Sequence, residues 1–170
     1  MDKKKRFLDL LLYTFGEGTP IFWSKRVGKN NEIFLMPKFR TMSISTPIVA
    51  THLLNKPHEQ YIFLGKFLRF TSLDELPQLF CIWNGTMSFV GPRPALHNQI
   101  ELIDLRSKFK ISDLVPGVTG WAQINGRDNL SIDEKVRYDL EYLNKKSLKF
   151  DLYVLFLTIL KVFSLQNVSH

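Results

Sequence analysis

Two short apolar runs near the start of the chain predict a β-hairpin. They are Ile21-Phe22-Trp23 and Ile33-Phe34-Leu35-Met36, and residues 27–31 between them read Val-Gly-Lys-Asn-Asn, a sequence that favours a tight turn. Lys38 and Arg40 follow the second run, and an extended chain would place both cations on one face. The alternative interpretation is a solvated edge strand that charge protects from pairing.

The remaining apolar pattern predicts helices joined by turns. The predicted helical segments are residues 59–70, a segment opening at Asp74-Glu75, residues 95–110, residues 131–144 and residues 151–163. The segment over residues 131–144 opens with a second capping-box spacing, Ser131-x-x-Glu134. The last segment is apolar apart from Asp151, Thr158 and Lys161, which form a narrow polar stripe. It is too short to cross a bilayer, so it is either a core helix or a helix at a membrane interface.

The first 15 residues combine charge with a short apolar run. Lys3-Lys4-Lys5-Arg6 precedes an apolar stretch over residues 7–13 that Asp9 interrupts. A signal peptide would need a longer apolar region and a small-residue cleavage site, and a spanning helix needs about 20 apolar residues. Two interpretations remain open, a basic helix lying on a membrane surface and an ordinary amphipathic core helix.

Length and charge narrow the class of protein. A chain of 170 residues predicts one domain with one core. The formal net charge of +7 suits nucleic acid, anionic lipid or a phosphorylated substrate. The single cysteine, Cys81, excludes an internal disulfide and agrees with a reducing cytosolic setting.

The candidate chemistry is concentrated between Thr71 and Pro94. Asp74-Glu75 offers a nucleophile or metal ligand beside a possible base, and Arg93 stands between two prolines, which suits a stiffly held phosphate contact. The spacing Ser72-x-x-Glu75 also fits a capping box, and spacing alone favours that interpretation. Arg127, directly after Asn-Gly, is either a second phosphate clamp or a solvated turn residue.

Several motifs in order resemble the bacterial sugar transferases known as monotopic phosphoglycosyl transferases, from Thr19 to His170. The motifs are Lys38-Phe39-Arg40-Thr41-Met42, Leu68-Arg69, residues 72–79 (SLDELPQL), residues 87–94 (MSFVGPRP), residues 116–127 (PGVTGWAQINGR) and the closing helix that begins at Asp151-Leu152. Linked motifs in the correct order are more specific than any one of them. The resemblance therefore outweighs the capping interpretation of Asp74-Glu75.

The resemblance implies an enzyme that transfers a sugar phosphate from a UDP-sugar, of the N-acetylated hexosamine type, to undecaprenyl phosphate. Such a reaction initiates surface glycans such as exopolysaccharide, O-antigen or capsule. It implies that Asp74 is the nucleophile that takes up the phosphosugar and that Glu75 is its partner in metal binding or proton transfer. The metal would be Mg²⁺, held by both carboxylates. The substrate- and phosphate-binding residues that it implies are Lys38, Arg69, Arg93, Arg127 and Asp139.

The expected fold is α+β, a single compact, mostly helical domain with a small antiparallel sheet and interfacial amphipathic helices. Residues 1–15 form the interfacial segment and residues 16–170 the catalytic domain. The expected location is the cytoplasmic face of the bacterial inner membrane, peripheral or monotopic, without a nucleic-acid partner. The alternative function is a catalytically impaired relative that serves as a scaffold at the membrane.

Two departures from the family pattern affect these expectations. Most of the long N-terminal membrane helix that the family usually carries is replaced here by residues 8–15, which run directly into Gly16-Glu17-Gly18. Thr86 stands where the family commonly has an acidic residue. The first departure bears on anchoring to the membrane, and the second on the charge near Asp74 and Glu75.

Overall fold

The computed structural model describes residues 19–47, 60–126 and 129–163, and it confirms the α+β class. The strands are β1 (Ile21–Val27), β2 (Ile33–Phe39), β3 (Ser88–Val90), β4 (Ala95–Leu96) and β5 (Gly117–Thr119). The helices are α1 (Gly65–Phe70), α2 (Leu79–Trp83), α3 (Ile100–Lys108), α4 (Trp121–Ile124), α5 (Ile132–Lys145) and α6 (Leu148–Phe163). Short 3₁₀ turns cover Lys29–Asn31, Leu73–Gln78 and Ile111–Asp113.

The predicted hairpin is confirmed, with β1 and β2 adjacent in a sheet of order β2-β1-β4. Its turn closes through a 2.8 Å hydrogen bond from the Gly28 amide to the Glu32 carbonyl. Asn30 and Asn31 adopt φ values of 55° and 62°, a region that asparagine tolerates better than most residues. β4 pairs antiparallel with β1, whereas β3 and β5 form a separate parallel pair that the sequence did not predict.

Two of the predicted helices begin later than expected, because the chain before each of them pairs with another segment. Residue 59 lies outside the described residues, and Tyr61 forms an isolated bridge with Met42, so α1 begins only at Gly65. Ala95 and Leu96 pair with β1, and α3 therefore begins at Ile100. In both cases long-range backbone pairing overrides a local helical pattern.

The two C-terminal helices agree with the sequence. α5 starts with the predicted capping box, in which the Ser131 hydroxyl accepts from the Glu134 amide and the Glu134 carboxylate accepts from the Ser131 amide. α6 begins at Leu148, slightly before the predicted start, and ends at Phe163. No helix within the described ranges is long and apolar enough to cross a membrane.

The described residues group into two compact units. The first unit comprises residues 19–23, 37–47 and 60–77, and the second comprises residues 24–36, 78–126 and 129–163. The predicted interfacial segment, residues 1–15, lies outside the described residues. That residues 16–170 form one catalytic domain stays a prediction.

The polar stripe of α6 faces the core of the second unit. Asp151 accepts a 2.7 Å hydrogen bond from the hydroxyl of buried Tyr142, Thr158 and Thr119 share a 2.7 Å hydroxyl contact, and Lys161 donates to the carbonyl of Ile124. Much of the rest of the helix is apolar and open to solvent: Leu148, Leu152, Tyr153, Phe156, Ile159, Leu160 and Val162 are exposed. Val154, by contrast, is completely buried. The helix therefore directs polar groups at the second unit and leaves much of its apolar surface uncovered.

Candidate active site

Asp74 and Glu75 lie in the first turn of the 3₁₀ segment Leu73–Gln78, just before α2. Ser72 has a φ of 57°, whereas an N-cap residue normally has an extended backbone. The Glu75 amide donates to the Ser72 carbonyl at 3.2 Å. Pro77 lies inside the same segment, so the tight turn takes the place of the α-helical start that a capping box would open.

The two adjacent carboxylates have different surroundings. Asp74 is 6% exposed, although carboxylates are seldom buried this deeply. Glu75 accepts a 2.9 Å hydrogen bond from the Lys38 ammonium, and both side chains of this ion pair are largely buried. The turn therefore holds two adjacent carboxylates that are both largely buried. Lys38 compensates the charge of Glu75.

The cations that the sequence grouped after the hairpin have separate partners. Lys38 lies near the end of β2 and reaches Glu75 across 37 positions of sequence, so the solvated-edge interpretation does not hold for it. Arg40 donates to the Thr19 carbonyl at 2.9 Å and stacks over the Phe22 ring at 5.8 Å. Only Lys38 is brought to the acidic pair by these contacts.

Arg69 is the other predicted cation of the first unit. It lies in the last turn of α1, with its guanidinium 5.6 Å from the centre of the Tyr61 ring. Its Nη1 also donates to the Tyr61 hydroxyl at 3.4 Å. These contacts restrict the rotamers of Arg69.

Arg93 belongs to the second unit, in a turn that begins where β3 ends. The Gly91 amide donates to the Thr119 carbonyl at 2.9 Å, and the Gly117 amide donates to the Pro92 carbonyl at 3.0 Å. Pro92 and Pro94 are buried, whereas Arg93 between them is partly exposed. The turn therefore fixes the main chain on both sides of one arginine.

Asp139 is deeply buried in α5 and is held by Arg106 of α3. Its Oδ2 accepts from Arg106 Nη2 at 2.6 Å and from Nε at 3.0 Å. Burial raises the pKa of Asp139, and the Arg106 guanidinium opposes that shift. The sequence placed Asp139 among the substrate-binding residues, but this arrangement favours a structural role for its carboxylate.

The structure describes Thr86 but not Arg127, and it adds two arginines that the sequence did not reveal. Thr86 bonds locally, since its hydroxyl donates to Asn84 Oδ1 at 2.7 Å and closes the turn after α2. Arg127, the predicted second clamp, lies outside the described residues. Arg26 and Arg106 carry contacts around Arg93 that the sequence did not reveal, because neither belongs to a recognisable motif.

The chemistry of the acidic pair fits a magnesium ion. Mg²⁺ is commonly held by one or two carboxylates together with substrate phosphates and water. Asp74 and Glu75 supply two neighbouring carboxylates, and the described parts of the chain contain no group of three or more acidic, histidine or cysteine side chains that could form a complete protein cage. This donor set suits an ion that arrives with a diphosphate.

The family model and the similar proteins all point to one family. The model of the bacterial sugar transferase family matches residues 7–165. A UDP-glucose:undecaprenyl-phosphate glucose-1-phosphate transferase of Escherichia coli (strain K12) is 41% identical over 160 residues, which are 86% of this chain and 33% of that protein. The galactosyl transferase CpsE of Streptococcus agalactiae is 37% identical, over 84% of this chain and 34% of its own length.

A shorter relative is matched over most of its length. The exopolysaccharide production protein ExoY of Sinorhizobium fredii is 36% identical over 164 residues, which are 87% of this chain and 72% of that protein. The chain thus spans about one third of the first two relatives and nearly three quarters of the third. The names of the first two specify glucose and galactose, so they give no support to the predicted N-acetylated sugar.

Proposed function

Because this chain belongs to the bacterial sugar transferase family, we propose that it transfers a hexose 1-phosphate from a UDP-sugar to undecaprenyl phosphate and thereby initiates a surface glycan. The observation that carries this proposal is the pair of adjacent carboxylates in one tight turn, with Asp74 buried and Glu75 bonded to Lys38. UDP-glucose and UDP-galactose are the first donors to test, since relatives are named for those sugars.

The proposed reaction has two displacements at one phosphorus atom. A carboxylate oxygen of Asp74 attacks the phosphorus that carries the sugar, the bond from that phosphorus to the bridging oxygen breaks, and UMP leaves with the electron pair. A phosphate oxygen of undecaprenyl phosphate then attacks the same phosphorus and releases the Asp74 carboxylate. The product is a sugar joined to the lipid through a diphosphate, and Asp74 is unchanged after the cycle.

Charge compensation is the main physical requirement of this reaction. A carboxylate and a diphosphate repel each other, so cations must lower the energy of the approach. Lys38 already compensates Glu75 at 2.9 Å, which limits the negative charge of the turn before substrate binds. Arg69 and Arg93 are the proposed phosphate contacts, since a guanidinium can make two parallel hydrogen bonds to a phosphate.

Mg²⁺ is the proposed cofactor. Asp74 and Glu75 would hold it together with oxygens of the diphosphate, and when bound it would neutralise charge on the phosphate groups. Glu75 would be shared between the ion and Lys38, and Lys38 is a further proposed phosphate contact. Addition of EDTA is therefore part of the activity test.

The activity test is direct. The protein is incubated with Mg²⁺, undecaprenyl phosphate and each of UDP-glucose, UDP-galactose and an N-acetylated UDP-hexosamine, and UMP is measured. Release of UMP that depends on the lipid and stops with EDTA is expected. Absence of UMP with all donors would favour the alternative of a catalytically silent membrane scaffold.

Arg93 offers a specific test of phosphate recognition. Arg93→Lys keeps the charge but removes the planar fork, so the KM for the UDP-sugar is expected to rise by roughly tenfold or more. Lys29→Ala, at an exposed position of the hairpin turn, is the control and should leave turnover unchanged. Steady-state UMP release measures both variants, and equal effects would assign Arg93 a structural role only.

The apolar surface of α6 supports attachment to the cytoplasmic leaflet of the membrane. Leu152, Phe156 and Ile159 are each more than half exposed. The exposed lysines Lys146 and Lys149 lie just before the same helix and in its first turn. Apolar side chains can enter the interface while the lysines meet anionic headgroups. We therefore expect a peripheral protein.

Flotation with anionic vesicles tests this attachment. Wild-type protein should float at low salt and be partly released at high salt, because salt screens the lysine contacts. Phe156→Glu should reduce flotation severalfold, since it places a charge in the apolar surface. Ile100→Glu, at a similarly exposed position of α3, is the matched control. Equal flotation of both variants would exclude α6 as the attachment surface.

A further inference from the structure

Two arginines from different elements donate to neighbouring carbonyls of the turn that carries Arg93. Arg106 Nη1 of α3 donates to the Arg93 carbonyl at 2.8 Å. Arg26 Nη1 of β1 donates to the Pro94 carbonyl at 3.1 Å, while its Nε is held at 3.0 Å by the hydroxyl of buried Ser24. Other contacts therefore orient both guanidinium groups where they meet the turn: Ser24 orients that of Arg26, and Asp139 orients that of Arg106.

Arg106 is fixed from behind by a buried carboxylate. Asp139 is 1% exposed and accepts from two nitrogens of the guanidinium, leaving Nη1 directed at the Arg93 carbonyl. Charge-assisted bonds of this kind are shorter and stronger than neutral ones. Asp139, Arg106 and the Arg93 carbonyl thus form a continuous chain of polar contacts from α5 to the turn.

The two prolines of the turn fix φ but also remove two of its backbone hydrogen-bond donors, so the turn is held through its carbonyls. Pro92 and Pro94 have no amide hydrogen, so they cannot donate to a backbone ladder. The carbonyls of Arg93 and Pro94 accept from side chains and hold the main chain after the Arg93 Cα. The Pro92 carbonyl accepts from the Gly117 amide and holds the main chain before it. A rigid main chain restricts the directions in which the Arg93 side chain can project.

We propose that Arg26 and Arg106, the latter held by Asp139, are positioning residues that fix the Pro92-Arg93-Pro94 main chain so that Arg93 meets a phosphate group of the nucleotide sugar. This inference rests on the proposed function for its ligand. The contacts with the main chain do not depend on that function. Asp139 acts on the substrate only through Arg106 and Arg93.

Hydrogen exchange tests the positioning part without any activity. Arg106→Lys keeps the charge but loses the fork, and it should accelerate exchange severalfold in peptides covering residues 88–99 while leaving α6 peptides unchanged. Arg26→Lys should do the same and serves as a second variant. Arg137→Lys, an exposed arginine of α5, is the matched control and should change neither region. Unchanged exchange in residues 88–99, or a uniform increase across the chain, would overturn the proposal.

Kinetics then test whether the support acts through Arg93. Arg106→Lys should raise the KM for the UDP-sugar by about tenfold in the wild-type background, in line with loss of a bond made by a charged donor. In the Arg93→Lys background the same change should have little further effect, because the two residues act as one unit. Fully additive effects would contradict the proposal. An inactive wild type with a selective exchange increase would overturn the proposed function and support the positioning.

Discussion

Replacing Asp74 with asparagine is expected to abolish sugar phosphate transfer. The substitution keeps nearly the same shape but removes the charge and lone-pair basicity that a nucleophile requires, so UMP release should fall by roughly 10³-fold or more. A phosphosugar adduct on the wild-type protein, seen by intact mass after incubation with the UDP-sugar and Mg²⁺ but without the lipid, should disappear in the variant. Circular dichroism would verify that the variant is folded.

Glu75→Gln is the companion variant, and it tests whether Glu75 is the partner of the nucleophile rather than the nucleophile itself. It leaves Asp74 in place, so adduct formation should be slowed strongly but should still occur. An adduct that persists at full rate in Asp74→Asn would remove Asp74 from the mechanism. An adduct that maps by peptide analysis to Glu75 would exchange the roles of the two carboxylates.

Gly117→Ala is expected to have the largest effect on stability. A Cβ at Gly117 would lie 2.1 Å from the Gly91 nitrogen and 2.4 Å from the Thr119 carbonyl oxygen, and both of these are main-chain atoms. The close approach of β3 and β5 would have to open, with a cost of about 2–4 kcal/mol in the free energy of unfolding. Urea denaturation followed by circular dichroism measures the change.

Gly85→Ala provides the contrast. Gly85 has a φ of 80°, but a Cβ added there would meet no atom within 4 Å, so only backbone strain of about 1–2 kcal/mol is expected. A loss at Gly117 no larger than that at Gly85 would mean that the parallel pair separates easily. In that case the Gly91-Pro92 turn would not be held as tightly as its hydrogen bonds suggest.

The elements that the sequence predicted well are those that local rules determine. The hairpin turn and the capping box of Ser131 and Glu134 each depend on residues only a few positions apart. The parallel pair of β3 and β5 joins strands made of three residues each, too short to show a period, and the pairing is non-local. The same holds for Ala95 and Leu96, whose pairing with β1 shortened a predicted helix.

In the candidate site, too, the sequence revealed residues that belong to motifs and missed residues that only long-range contacts bring together. Asp74, Glu75 and Lys38 were found because they belong to ordered motifs, and the structure joins Lys38 to Glu75. Spacing alone favoured a capping role for Ser72, which its left-handed backbone does not fit. Arg26 reaches Pro94 across 68 positions and Arg106 reaches Asp139 across 33, and neither contact has a signature in a single sequence.

On α6, the side chains proposed to attach the protein to a membrane differ from those that stabilise its fold. Exposed side chains such as Leu152 and Ile159 are little buried by the second unit, so they add little to its unfolding free energy. The completely buried Val154 and the inward contacts of Asp151 and Thr158 anchor the helix. In aqueous buffer, an uncovered apolar surface favours self-association. Polar replacements along it are therefore expected to give a monodisperse protein whose fold and chemistry are intact.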